Sequence, residues 1–154
     1  MTNSMGKRLS KWDKRYIELA KQISTWSKDP SRKIGAVAVG SKGQILSQGY
    51  NGFPRGIFDG PARLNDRETK YKYVVHAEMN VIYNATFNGV SLDGADLYVY
   101  GLPVCSECAK GIIQVGIKRV YVQIPDEVPE TWSNSFELTR KMFKEAGVSI
   151  IIEE

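Results

Sequence analysis

This chain of 154 residues contains one histidine and two cysteines, and their placement constrains its fold more than any other feature. His76 heads one apolar-periodic segment and Cys105 heads the next, with Cys108 one helical turn further on. Imidazole and thiolate are preferred zinc donors, and a site with three protein ligands keeps a fourth position for water. If the three residues serve one ion, the fold must set two helix starts side by side. Residues three apart on a helix face the same way, so Cys105 and Cys108 address one point. A helix N-terminus also favours the thiolate form that zinc requires.

Each part has a plainer reading. A lone histidine is usually structural, and a lone Cys-x-x-Cys can be a thiol pair of thioredoxin type. A structural zinc site takes four protein ligands, and this chain offers three of His or Cys type. A fourth would have to be a carboxylate or come from another subunit. Glu78, two residues after His76, favours catalysis instead. Zinc lowers the pKa of a bound water to about 7. The resulting hydroxide would attack an amidine-like carbon such as C4 of cytosine. Glu78 would take the water's proton, pass it to the ring nitrogen, and then protonate the departing ammonia. Backbone N–H groups near Ala77 and Cys105 would orient the base. His-x-Glu followed by Pro and Cys-x-x-Cys is a signature of zinc-dependent base deaminases.

The composition, 42% hydrophobic and 25% charged, is that of an ordinary globular protein. The length predicts one domain spanning residues 1–154. No apolar run has membrane-spanning length. Met1 to Ser10 is polar and basic with no apolar segment behind it, which predicts a cytoplasmic protein. The net charge of +4 suits either phosphate binding or a merely solvated surface. Its densest cluster is Lys7 to Arg15. Two cysteines so close together make no disulfide framework.

Periodicity predicts a helix over Lys11–Ser27, capped by Ser10 and stopped by Lys28-Asp29-Pro30. Trp12, Tyr16, Leu19, Ala20, Ile23 and Trp26 form its expected buried stripe. Ile34–Val39 and Gln44–Tyr50 read as a hairpin around Ser41-Lys42-Gly43. A long loop is expected from Asn51 to about Lys72. Beyond it the pattern gives a helix at His76–Phe87, with Val81, Ile82 and Ala85 inward, and a strand at Leu97–Tyr100. A helix at Cys105–Val115, a strand at Lys118–Gln123, a helix at Ser133–Ala146 and a strand at Val148–Ile152 follow. Gly147 is placed to cap the last helix. A hairpin followed by βαβαβ predicts a mixed, roughly five-stranded sheet covered by helices.

On these motifs the chain resembles the deoxycytidylate (dCMP) deaminase branch of the cytidine deaminase superfamily. The matching text includes Ser27-Lys28-Asp29-Pro30, Ile34-Gly35-Ala36-Val37, Gly49-Tyr50-Asn51-Gly52-Phe53-Pro54 and His76-Ala77-Glu78-Met79-Asn80. It continues through Cys108-Ala109-Lys110, the stretch from Ile112 to Val120, and Ala146-Gly147-Val148. The resemblance implies a three-layer α/β/α fold, one zinc per chain, and hydrolysis of dCMP to dUMP and ammonia. It implies that Asn51 and Ala77 contact substrate and that Ser27 and Lys28 lie near its phosphate. It further implies a homo-oligomer, commonly a hexamer. Activation by dCTP with magnesium and inhibition by dTTP would act at Gly49, Tyr50, Asn51 and Gly52. Gly49 to Gly52 reads equally as a plain turn, and Ser27 to Pro30 as a helix stop.

The chain departs from the family pattern at Val104, which stands between Pro103 and Cys105. Ile57 occupies the place where some relatives carry another cysteine, so no second zinc site is expected. Two rival readings remain: a nucleic-acid base deaminase such as a tRNA adenosine deaminase, and a non-catalytic zinc- or nucleotide-binding module. The first lacks an obvious basic and aromatic stripe for a strand, although Arg63 to Arg67 and Tyr71 to Tyr73 come nearest. The second has no need of Glu78. Neither a membrane nor a nucleic-acid partner is expected.

Overall fold

Five strands form one mixed sheet in the order β2-β1-β3-β4-β5. The structure, a computed structural model, describes residues 9–153. Met1 to Arg8, with most of the basic N-terminal stretch and the start of the Lys7–Arg15 cluster, lie outside the described residues. The hairpin is β1 (Gly35–Val39) and β2 (Ile45–Tyr50), and β1 also pairs antiparallel with β3 (Asp96–Tyr100). β3, β4 (Arg119–Gln123) and β5 (Ser149–Glu153) run parallel, as the alternation of strands and helices requires.

Strand alternation divides the core between the two faces of the sheet. Ala36, Ala38, Leu97, Val99, Val120, Val122 and Ile150 point to one face. They pack with buried residues of α4 (Ala77–Asn88), α5 (Ser106–Gln114) and α6 (Ser133–Ala146). Val37, Val39, Tyr98, Tyr121 and Ile151 point the other way, to α1 (Lys11–Ser24). Helices therefore cover both faces, in a three-layer α/β/α arrangement. Interior strand β1 is buried along its whole length, which is why its text is continuously apolar. Gly49 lets β2 lie tight against α4, because a Cβ there would stand 2.7 Å from the Val81 nitrogen. Gly147 ends α6 in the left-handed conformation, φ 82°.

Two expectations are corrected. Trp12 and Trp26 are exposed rather than part of the buried stripe of α1. Ile17 is buried in that stripe with Ala20 and Ile23, while Tyr16 and Leu19 are half-buried. The tryptophans sit at the two ends of the helical segment. Trp12 lies under Arg15 and Trp26 packs edge-on to Tyr50. The long loop is also not structureless: α2 (Pro61–Leu64) and α3 (Arg67–Tyr73) lie within it. Other boundaries move by one to three residues. No helix among the described residues is long and apolar enough to cross a membrane.

Candidate active site

The site forms where the N-termini of α4 and α5 meet. His76 and Cys105 are the N-cap residues of these helices, each with extended backbone. The Cys105 thiol accepts from the Cys108 backbone N–H at 3.5 Å. Val104 is accommodated by burial: its side chain is inaccessible, and its carbonyl accepts from the Thr139 hydroxyl of α6 at 2.9 Å. The Ser106 N–H donates to the Ser135 hydroxyl at 2.9 Å. Helix α6 thus grips the segment that presents Cys105.

His76 Nδ1 lies 3.4 Å from each cysteine Sγ, and all three donor atoms fall within 4.8 Å of one another. Nitrogen and sulfur bonded tetrahedrally to one zinc would stand about 3.5 Å apart. Donor chemistry and spacing therefore both fit zinc. The electrostatics agree. The hydrogen bond with Cys108 lowers the Cys105 pKa, and the same bond raises that of Cys108. The hydrogen bond with Cys105 raises the His76 pKa. Cys105 is thereby the more readily ionised of the two thiols, and the thiolate is the form that binds a cation.

Glu78, in the first turn of α4, is buried, and burial pushes its pKa up to about 7. A carboxyl so poised can accept or donate a proton at neutral pH. Glu78 and His76 line a cavity of about 250 Å³.

Residues 10–124 match the family described as the cytidine and deoxycytidylate deaminase zinc-binding region. The chain belongs to the cytidine and deoxycytidylate deaminase family. Within that family, the deoxycytidylate deaminase of Mus musculus is 40% identical over 145 residues, covering 90% of this chain and 77% of the mouse protein. An uncharacterized deaminase of Aliivibrio fischeri is 38% identical over 143 residues, covering 92% of this chain and 93% of its own. The crystal structure of dCMP deaminase from cyanophage S-TIM5, in complex with dCMP and dUMP, superposes with a TM-score of 0.77. It is 25% identical and covers 96% of this chain and 100% of the phage chain. The three-layer fold of this deaminase is accordingly that of its dCMP deaminase neighbour.

The remaining residues singled out in the sequence separate into two groups. Asn51 and Ala77 line the deaminase cavity. The Asn51 amide is itself engaged, accepting from the Ile34 N–H and donating to the Arg32 carbonyl, both at 2.9 Å. Ser27 is buried outside the cavity wall and donates to the Asn51 carbonyl at 2.9 Å. Lys28 is exposed and pairs with Asp59. Gly49, Tyr50 and Gly52 line a separate groove of about 460 Å³, with Arg55 and Asn80.

The structure adds residues that the sequence reading gave no role in the site. Lys70 is 4% exposed although charged. Its ammonium lies 2.9 Å from Asp29 and 3.2 Å from the Ser31 hydroxyl. Asp29 also accepts from the Ser31 N–H at 2.8 Å. Arg32, Arg67, Tyr71 and Trp132 complete the outer wall. The sequence signal for Arg67, Lys70 and Tyr71 was the basic and aromatic text between Arg63 and Tyr73.

Proposed function

We propose that this protein is a zinc-dependent hydrolase that converts dCMP to dUMP and ammonia. One observation carries the reading. The buried Glu78 and His76, whose ring is grouped with the Cys105 and Cys108 thiols, line one cavity together with Arg32 and Arg67. One end of the cavity suits an amidine carbon and the other suits an anion. The names of the mouse and phage relatives point the same way.

Held by His76, Cys105 and Cys108, zinc would supply the Lewis acidity that makes water nucleophilic at neutral pH. Glu78 takes the proton of the attacking water and delivers it to N3 of the base. With C4–O formed, Glu78 takes the second proton from the oxygen on C4 and delivers it to the amino group, so that C4–N breaks, ammonia leaves and the C4 carbonyl forms. Its burial serves this cycle, because a carboxyl near pKa 7 both gains and gives up a proton readily. The backbone of Ala77, at the head of α4, orients the base.

The test is ammonia release from zinc-loaded protein given dCMP, dCTP, deoxycytidine, CMP or a short RNA hairpin containing adenosine. Release from dCMP in preference to the others is expected. Release from the RNA alone would place this chain among nucleic-acid deaminases, and silence throughout with zinc bound would make it a binding module.

Regulation by dCTP with magnesium and by dTTP rests on the groove beside Gly49, Tyr50 and Gly52. It predicts shifted dCMP saturation curves on adding either nucleotide, and unshifted curves would reject it. A homo-oligomer, a hexamer in the form that the resemblance implies, would appear by sedimentation under the same conditions.

A further inference from the structure

Asp29 and Lys70 form a charged pair in the cavity wall, with side chains 10% and 5% exposed. A buried ion pair is weak evidence for stability, because apolar residues of similar volume often serve as well. The contacts of Asp29 give it another use. Its Oδ1 accepts from the Lys70 ammonium at 2.9 Å, the Ser31 N–H at 2.8 Å and the Arg32 N–H at 3.3 Å. Its Oδ2 accepts from the Asn51 amide nitrogen at 3.4 Å. The turn that Asp29 ties together supplies the other partners of that amide, the Arg32 carbonyl and the Ile34 N–H.

An asparagine amide carries two N–H donors and an oxygen with two lone pairs. In Asn51 the nitrogen faces two acceptors, and the oxygen already accepts from Ile34. One lone pair is left, so the amide can offer the cavity an acceptor and no donor. Turning it over would set its oxygen against the Arg32 carbonyl and the Asp29 carboxylate, and its nitrogen against the Ile34 N–H.

We propose that Asp29 is a positioning residue: held by Lys70, it locks the Asn51 amide in the orientation that accepts a hydrogen bond from the substrate. The proposal rests on the dCMP deaminase reading and deepens it. On its base and sugar dCMP carries two donor groups, the amino group and the 3′-hydroxyl. In that reading the amino group lies at Glu78, so the 3′-hydroxyl is the donor that meets Asn51. A nucleotide without this hydroxyl gains nothing from the locked amide.

The test measures binding of dUMP and of 2′,3′-dideoxyuridine 5′-monophosphate to the zinc-loaded protein, together with dCMP turnover, in the parent and in Asp29→Asn. The substitution keeps the shape of the side chain. The three donors at Oδ1 hold the new amide oxygen there, which turns its nitrogen toward that of Asn51. The parent is expected to bind dUMP about 5- to 20-fold more tightly than the dideoxy nucleotide. Asp29→Asn should shrink this preference to within about twofold by weakening dUMP alone. Unchanged affinity for the dideoxy nucleotide also shows that the variant folds. If it does not fold, the double variant Asp29→Leu/Lys70→Met, which removes both buried charges, carries the same comparison. Equal loss for the two nucleotides would make Asp29 a structural tie only and overturn the proposal, as would a preference kept at the parent level. A parent that turns over dCMP but binds the two nucleotides alike would overturn it and leave the deaminase reading standing. A parent inactive on dCMP, yet losing its preference for dUMP on Asp29→Asn, would reject the deaminase reading and uphold the role of Asp29.

Discussion

The two ends of the cavity are built by different means. The chemical end is made of helix starts. His76 and Cys105 are N-caps, Cys108 and Glu78 sit in first turns, and buried α4 and α5 hold all four. The anion end is made of loop segments and a short helix, tied by contacts distant in sequence. Lys70 reaches Asp29 across 41 positions, and Arg32 reaches Glu127 across 95. The chemistry demands fixed donors and tolerates little movement, so it sits on regular elements. The other end is held by a few contacts between loops, which break more readily than packed helices.

Substitutions at each end should separate these roles. Glu78→Gln is expected to lower dCMP turnover by about 10²- to 10⁴-fold, while zinc content and dUMP affinity stay at parent levels. Retained turnover would remove Glu78 as the proton carrier. Lys70→Met belongs to the other end. It leaves Asp29 buried without its cation, at a cost of about 3–5 kcal/mol in unfolding free energy. Denaturant melts read this directly. If KM and stability both hold, the anion end does not depend on the Lys70–Asp29 pair.

A smaller effect tests whether the chemical end depends on its neighbour α6. Thr139→Val keeps the shape and strips the buried Val104 carbonyl of its donor, at a cost of about 1–3 kcal/mol. Zinc should then be lost to a chelator faster than from the parent. Equal chelation rates would mean that Cys105 needs no support from α6.

The smallest effect is expected on the other face of the sheet, away from both ends. The Tyr98 hydroxyl donates to Asp13 at 2.6 Å and its ring stacks on Tyr121. Burial, aided by Asp13, raises the Tyr98 pKa above its ordinary 10.0. The folded protein keeps this proton where the unfolded chain has lost it, so stability falls as pH rises beyond about 10. Tyr98→Phe should cost about 1 kcal/mol at neutral pH and flatten that alkaline fall, with KM unchanged. A changed KM would tie this face to the site.

Legibility in the sequence followed the same division. The heads of α4 and α5 showed because Val81, Ile82 and Ala85 recur at helical spacing behind His76, and because histidine and cysteine are so scarce. The mixed sheet showed because its short apolar strands alternate with helical text. Helix α3 did not show. Its only buried residue, Lys70, is charged, so no apolar period marked it. The exposed Trp12 and Trp26 misled for the converse reason: their spacing was helical, but Trp12 stands in the first turn of α1 and Trp26 beyond its end.

By itself the sequence singled out the candidate metal donors, the acid beside them and the order of elements, because each of these is local in the chain. Tertiary structure alone decided that Val104 is anchored on Thr139 and that Lys70 is internally paired. Whether a charged side chain meets a partner depends on segments far apart in sequence. Only the closed fold fixes which of them arrive at the same place.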